Sequence, residues 1–246
     1  MPGPPACATI SGSLPASAGQ LSSRPLGSNY ARSSRKAANM PESPQALGIT
    51  LTFDTNCLID LELGAGGISH LRGLLAAHDA NRITVAISAA AASERLPGGL
   101  FAPNFSAFQQ RASRLSARPI ILLRPLCYFD ITYLDWSLLA DEHLAAQEEA
   151  IHRVLFPTIE FKWRDHATKH GIQPETPAAS SQKELLRWRN KKCDTLAMWC
   201  HIHYGNAVFV TRDSNFLKAS KKKALIALGA RQILTPSEAA ALLRQG

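Results

Sequence analysis

Four acidic residues stand where a carboxylate could take part in chemistry. Asp54 follows an apolar run that ends at Phe53, and Asp213 closely follows the run "VFVT". Glu94 lies a few residues after a second apolar run, and Asp194 lies in the segment "CDTLAMWC". Ligands of open α/β sheets bind beyond the carboxyl ends of the strands. A carboxylate beside an apolar face costs free energy unless it is paired or metal-bound, which favours a functional role for Asp194.

Each acid by itself also has an ordinary structural interpretation. Asp54 could cap the N-terminus of a helix, and Asp213 could be a turn or cap residue. Glu94 alone fits an exposed position on a helix. For each acid taken alone, the structural and the functional interpretation both remain open.

The elements that would position these acids follow from the apolar patterning. Short apolar runs predict strands at 49–53, 83–87, 120–123, 207–210 and 231–234. Helical spacing predicts helices over 57–63, 68–80, 88–96, 105–115, 138–155, 181–204 and 216–228. A last helix is expected where Thr235 acts as N-cap and Pro236 takes the first helical position. Alternating strands and helices predict an α/β fold with a mainly parallel sheet.

The N-terminal part of the chain differs in composition from the rest. Residues 1–47 are rich in Pro, Ser, Ala and Gly and have no apolar periodicity, which predicts a disordered low-complexity tail. Met40 is an alternative start of translation. Residues 48–246 are expected to form one domain with a helical insertion at about 100–180, whose stretch from Tyr128 to Pro177 has no clear pattern.

Charge and cysteine content narrow the class of protein. The net charge of +8 suits a polyanionic partner, although four of the basic residues precede the first acid, Glu42. Five cysteines without a C-x-x-C pair fit a reduced, cytoplasmic protein. Cys200, His201 and His203 suggest zinc ligands, but no second pair stands at a suitable spacing. No apolar run approaches the length of a membrane span, so no membrane partner is expected.

Taken together, the motifs resemble those of the PIN-domain family of metal-dependent nucleases. The matching stretches are "FDTNCLID", "ISAAAASERL", "NKKCDTLAMWCHIHYGNAVFVTRDSNFL" and "ARQILTPSEAAALL". The family has Asp-(Ser/Thr)-Asn after strand one, then Ser-x5-Glu, an aspartate within a helix, and a strand that ends in Thr-x-Asp. The carboxylates that match are Asp54, Glu94, Asp194 and Asp213. The resemblance implies a three-layer α/β/α fold of the PIN type.

The resemblance also implies an activity. The four carboxylates would be both the catalytic residues and the ligands of Mg²⁺ or Mn²⁺, with Asn56 and Thr211 orienting them from behind. The reaction would be phosphodiester hydrolysis, with RNA as the favoured substrate. A homodimer and an antitoxin-like inhibitor are further partners that the family suggests, although the long middle segment departs from its compact toxin members. The alternative is a catalytically inactive module of the same fold that binds nucleic acid or protein.

Basic residues near the acids are candidates for binding substrate phosphates. Arg187 and Lys191 precede Asp194 on its side of the predicted helix, and Lys218 and Lys221 follow Asp213. A solvated charged face is the equal alternative. Trp188 could stack on a base, but a core position is the commoner role for such a residue.

The middle segment has a second set of candidate binding residues. Trp136, Trp163, Lys162, Arg164 and Lys169 would suit single-stranded nucleic acid if they were exposed side by side. The same residues also suit a helical insertion that packs on the sheet.

Two other enzyme classes that use a strand-end aspartate fit less well. A phosphatase of the haloacid-dehalogenase type needs a second aspartate two residues after the first, where this chain has Asn56. A receiver-like phospho-acceptor needs an acid pair ahead of its aspartate, and the sequence has none.

Overall fold

A computed structural model describes residues 48–64, 68–94, 102–175 and 181–245 of the chain. The strands are β1 (Ile49–Phe53), β2 (Ile83–Ser88), β3 (Ile121–Leu123), β4 (Val208–Val210) and β5 (Gln232–Leu234). The helices up to the middle of the chain are α1 (Thr55–Leu63), α2 (Ile68–Asp79), α3 (Phe105–Ser113) and α4 (Glu142–Leu155). The later helices are α5 (Trp163–Lys169), α6 (Gln182–His203), α7 (Ser214–Leu217), α8 (Ala219–Ala227) and α9 (Pro236–Gln245). The predicted tail at 1–47 lies outside the described residues.

The strands form one parallel sheet in the order β3-β2-β1-β4-β5. The chain builds outward from β1 to β2 and β3, and then returns to the other side of β1 with β4. The order therefore reverses between β1 and β4, and ligands of such sheets bind beyond the carboxyl ends of the strands at that reversal. The sheet topology singles out the ends of β1 and β4 as the place to look for a site.

Alternate residues of the strands feed two separate cores. Leu51 and Phe53 of β1 pack with residues of α1, α2, α3 and α9 on one face of the sheet. Ala86 of β2 and Phe209 of β4 face the other way, against α4, α6 and α8. These two layers of helices around a parallel sheet confirm the predicted three-layer α/β/α class. None of the described helices is long and apolar enough to cross a membrane.

Local sequence signals explain several helix ends. Asp54 caps α1 by accepting a bond from the Thr55 backbone N–H, and α1 ends at Gly64 in the left-handed conformation that glycine adopts without strain. Thr235 and Glu238 form a reciprocal capping box at α9, with Pro236 at the first helical position. The predicted start of the last helix is therefore confirmed.

The predicted helix at 88–96 is wrong. Ala89–Ser93 form a 3-10 helix, and Glu94 follows it with an extended backbone (φ −89°, ψ 157°) instead of lying on a helix. Ala90 packs into the core of one face of the sheet, whereas Ala91 and Ala92 pack into the other. The small side chains let this tight turn pass between the two cores, so alanine here reflects close packing and not helix propensity.

Two further elements differ from prediction. The helix expected at 216–228 is split into α7 and α8, because Lys218 between them has a non-helical backbone (ψ 126°). The segment without a clear pattern holds the seven-residue helix α5, which is too short to give a periodic signal. The predicted insertion at 100–180 begins too early, because β3 within it is an edge strand of the sheet. The helices added to the sheet domain, α4 and α5, follow β3.

The later part of the middle segment is fixed to α6 by a buried polar network. Lys192 of α6 and Glu148 of α4 form an ion pair of 2.7 Å, and both side chains are 0% exposed. The Lys192 ammonium also lies 3.5 Å from the ring centre of Phe161 and 4.1 Å from that of Tyr128. The Tyr128 hydroxyl donates to the second oxygen of Glu148 at 2.6 Å. A charge this deep is tolerated because partners surround it.

Candidate active site

Asp54 and Asp213 stand at the carboxyl ends of two neighbouring strands, β1 and β4, where the order of the sheet reverses. Asp54 ends β1 and is 3% exposed. Asp213 follows β4 after Thr211 and Arg212, and caps α7 by accepting a bond of 2.7 Å from the Asn215 backbone N–H. The cap interpretation is thus correct for both acids. The cap of α7 uses only Oδ1 of Asp213, whereas both oxygens of Asp54 accept hydrogen bonds within the protein.

The polar residues predicted to support Asp54 do contact it. Asn56 Nδ2 and Thr211 Oγ1 donate to Asp54 Oδ2 at 2.5 and 2.6 Å, and Asn56 Nδ2 also lies 3.1 Å from Thr211 Oγ1. The Asp213 backbone N–H donates to Thr211 Oγ1 at 2.9 Å. Thr211 therefore connects the two strand-end acids. Despite these bonds, burial and the charge of Asp213 raise the pKa of Asp54 to about 6.

Glu94 reaches the same place from the end of the 3-10 helix. The hydroxyl of Thr55, the first residue of α1, donates to Glu94 Oε1 at 2.7 Å. Burial, together with the charge of Asp54, raises the pKa of Glu94 to about 8. The extended backbone at Glu94 directs a carboxylate toward α1, and Thr55 is the contact that the sequence interpretation missed.

Asp194 lies in the C-terminal half of α6. Burial raises its pKa well above the ordinary value, and the charges of Glu94, Asp54 and Asp213 raise it further. Lys191, one turn earlier on the helix, acts in the opposite direction. The geometric basis of this effect is that α6 brings Asp194 to the cavity that the other three acids line.

All four acids line one cavity of about 340 Å³. Its lining residues are Asp54, Thr55, Asn56, Ile59, Glu94, Asp194, Arg212 and Asp213. No three of the four carboxylates bring oxygens within 4.8 Å of one another, so they do not form a closed cage. An open, all-oxygen set of this kind fits a hard ion such as Mg²⁺, which keeps several waters. The raised pKa values fit as well, because a divalent ion would relieve the repulsion that causes them in part.

Comparison with known proteins adds no relative to this picture. No family model, no curated protein and no solved structure matches the chain significantly. The assignment of the cavity rests on its own geometry and chemistry.

Arg212 is a residue of the cavity that sequence reasoning missed. Its guanidinium forms a bidentate ion pair with Asp60 of α1, which is 3% exposed. The Arg212 side chain is 44% exposed, and its backbone N–H donates to Asn56 Oδ1 at 3.2 Å. Among the described residues that line the cavity, Arg212 alone is basic. Arg212 is the middle residue of "TRD", between the two candidate site residues Thr211 and Asp213, and this position is the sequence signal that could have found it.

The four predicted phosphate-binding residues have different surroundings. Arg187 is exposed and lies 3.4 Å from Glu184, one turn before it on α6. Lys191 is close enough to Asp194 to affect its pKa. Lys218 is exposed at the junction of α7 and α8. The Lys221 ammonium donates to the Leu155 carbonyl and to Asn215 Oδ1, so it joins α8 to α4.

The tryptophans that were candidates for stacking on bases pack against other side chains, whereas Phe129 of the middle segment is exposed. Trp188 is 5% exposed and donates to the Glu160 carbonyl at 3.0 Å, and Trp163 packs against it with ring centres 5.7 Å apart. Arg164 pairs with Glu175, and Lys169 pairs with Glu160. This arrangement favours packing over stacking on bases.

The cysteine and histidine residues near the end of α6 do not converge on a zinc site. Cys200 Sγ lies 3.4 Å from Ser88 Oγ, His201 Nδ1 lies 3.0 Å from Thr52 Oγ1, and His203 stacks on Trp199. Cys200 and His201 are buried in the interior of the domain, whereas His203 is exposed.

Proposed function

We propose that the protein is a divalent-metal-dependent nuclease that hydrolyses phosphodiester bonds, with RNA as the favoured substrate. The observation that carries the proposal is the convergence of Asp54, Glu94, Asp194 and Asp213 on one cavity at the reversal point of a parallel sheet. Repulsion among these acids has no benefit for folding. Clustered acids are, however, the arrangement that a cation site requires. The sequence resemblance to PIN-domain nucleases supports the same activity.

The ion would be Mg²⁺ or Mn²⁺, with the four carboxylates as its ligands either directly or through bound waters. When bound, it supplies Lewis acidity to a phosphate oxygen and lowers the pKa of a water. Asn56 and Thr211 fix the orientation of Asp54, because both donate to its Oδ2. Thr55 fixes Glu94 in the same way. In the metal-free protein, burial and the charge of Asp54 raise the pKa of Glu94 to about 8, so Glu94 holds a proton at neutral pH that a bound ion would displace.

Arg212 is suited to hold the substrate next to the acids. Asp60 occupies one edge of the guanidinium, which fixes its direction and leaves other N–H groups at the mouth of the cavity. A guanidinium presents planar, paired donors that match a phosphate. We assign it to a phosphate beside the scissile one, with Lys191 as a second candidate from α6.

The test is cleavage of end-labelled single-stranded RNA by the full chain, with Mg²⁺ or Mn²⁺ and with EDTA. We expect metal-dependent cleavage that Asp213→Asn and Glu94→Gln each abolish. Glu142→Gln, a change of the same type on the exposed start of α4, should cleave at the wild-type rate. Cleavage by Asp213→Asn at the wild-type rate would refute the proposal.

The second candidate function is a binding module of the same fold without catalysis. The basic net charge and Arg212 favour this binding function, because both would attract a polyanion without any need for catalysis. It predicts RNA binding that neither EDTA nor Asp213→Asn weakens and no cleavage under any condition, so the same assay separates the two functions.

A further inference from the structure

A second group of metal-ligating side chains lies in the middle segment, away from the acid cavity. Glu160 precedes α5, His166 lies within it, and His170 follows it. One ligand atom of each lies within 4.8 Å of the other two. Among the described residues, this is the group of histidine, cysteine and acidic side chains that converges most closely.

His166 is 1% exposed and has a carboxylate at each ring nitrogen. Nδ1 lies 2.9 Å from Glu160 Oε2, and Nε2 lies 3.1 Å from Glu184 Oε1. A neutral imidazole has one N–H and one lone pair, so one of these contacts would set a lone pair against a carboxylate oxygen. One of the two contacts therefore needs either a proton, on His166 or on the carboxylate, or a metal ion between the two groups.

His170 favours the metal ion over the proton. It stands four residues after His166, and the two ring centres are 4.5 Å apart. A proton on His166 would gain nothing from a second imidazole, whereas a metal ion would gain a ligand. His170 is exposed, which gives an ion a route of entry. Lys169 pairs with Glu160 Oε1, so Oε2 of the same carboxylate is the oxygen that faces the histidines.

We infer that Glu160, His166 and His170 bind a transition-metal ion of the Zn²⁺ type, with water completing its coordination. Two nitrogens and one oxygen are the donor set that such an ion prefers, unlike the all-oxygen set of the acid cavity. His166 would bind through Nδ1 while Nε2–H donates to Glu184, the pairing by which carboxylates orient metal-bound histidines. Because Glu184 belongs to α6, the ion would fasten α5 to the helix that carries Asp194, roughly 15 Å further along.

The site is tested by titrating Co²⁺, and then Zn²⁺ in competition, into the full chain with Mg²⁺ held in excess. We expect one high-affinity site whose Co²⁺ complex absorbs visible light and is displaced by Zn²⁺. His170→Gln, a change at an exposed position, should weaken binding at least tenfold. Glu184→Gln should weaken it by about tenfold or more, as is typical of a lost partner behind a histidine ligand.

Two matched controls locate the ion. His143→Gln removes an exposed histidine of α4 and should leave the affinity unchanged. Asp213→Asn alters the acid cavity and should also leave it unchanged, so the result does not depend on nuclease activity. Equal affinity in His170→Gln and the wild type would overturn the inference. Absence of a Co²⁺ site in the wild type would overturn it as well and would leave a proton on His166.

Discussion

Helix α6 separates two groups of charges that are built on opposite principles. On one side, Asp194 joins three other acids around an open cavity, and like charges raise one another's pKa. On the other side, Lys192 is fully buried but is paired with Glu148 and covered by two aromatic rings. Two residues apart on a helix, the two side chains point in nearly opposite directions.

The difference separates stability from function. The Lys192 side is satisfied within the protein, and removing one partner would leave a buried charge uncompensated. The negative charges of the acid side repel one another within the protein, and removing one member would relieve that repulsion. A cluster that costs stability is expected only where an external ion or substrate completes it. Changes on the two sides of α6 should therefore affect stability in opposite directions.

Lys192→Met should have the largest effect on stability. It leaves Glu148 buried without a partner, which typically costs about 3–5 kcal/mol of the free energy of unfolding. Urea denaturation of the metal-free protein measures the loss. The double change of Lys192 and Glu148 to Met should recover much of it, and Lys183→Met at an exposed position of the same helix should be close to neutral. A double variant as unstable as the single one would contradict the view that pairing is what makes the buried charge tolerable.

Asp194→Asn should act in the opposite direction. Cleavage should fall to background, because the cavity loses one of its four carboxylates. Stability at pH 8, where repulsion among the acids is stronger than at pH 6.5, should rise by about 1 kcal/mol, as is usual for relief of a strained site. RNA cleavage and urea denaturation of the same preparation measure both effects. Loss of activity with a large loss of stability would mean that Asp194 is structural.

The pH dependence of stability isolates the acid side. The pKa of Glu94 is raised from 4.5 to about 8, so the folded state holds a proton between these values that the unfolded state has lost. Its contribution to stability is complete below pH 4.5 and disappears as the pH rises through 8. The lowered pKa values of His152 and His201, about 4 and about 3, act only below about pH 6.5.

We therefore expect the free energy of unfolding of the metal-free protein to fall by about 1 kcal/mol between pH 6.5 and pH 8. Thermal denaturation at several pH values measures this slope. Glu94→Gln should reduce it, Glu94→Gln combined with Asp194→Asn should abolish it, and Mn²⁺ should do so as well, because the ion replaces the protons. A slope that survives in the double variant would show that another group is responsible.

The smallest expected effects concern substrate binding on the two sides. Joint replacement Asp60→Asn with Arg212→Ala removes the guanidinium without leaving its acid unpaired. RNA affinity should fall, and the slope of log affinity against log salt should decrease by roughly 0.7 for a lost contact to a single strand. Lys162, Arg164 and Lys169 changed together to Ala should alter neither quantity, because Arg164 and Lys169 are paired with acids and Trp163 packs against Trp188. A flatter salt slope in the triple variant would place substrate on the middle segment.

The sequence was informative where a signal is local and periodic. The strand ends, the four acids, the partners Asn56 and Thr211, and the capping box at Thr235 all follow from short motifs. The α/β class follows from the alternation of elements, and the structure confirms it. Apolar patterning could also locate α6, since 22 residues give several turns of evidence.

The contacts that were missed join residues far apart in the chain. Glu94 meets Thr55 across 39 positions, Arg212 meets Asp60 across 152, and Lys192 meets Glu148 across 44. No local pattern records such pairs. The alanine-rich turn before Glu94 was misassigned because helix propensity is a weak preference that packing between two cores overrides.

Calorimetric titration of Mn²⁺ into the metal-free full chain tests most directly whether the acid cavity is a metal centre. We expect saturable binding that is strongly weakened by Asp54→Asn and by Asp213→Asn. Glu142→Gln and His170→Gln, which lie outside the cavity, should bind Mn²⁺ at this site as the wild type does. If both aspartate variants bind Mn²⁺ with the wild-type affinity, or if the folded wild type binds none, the cavity is not a metal centre.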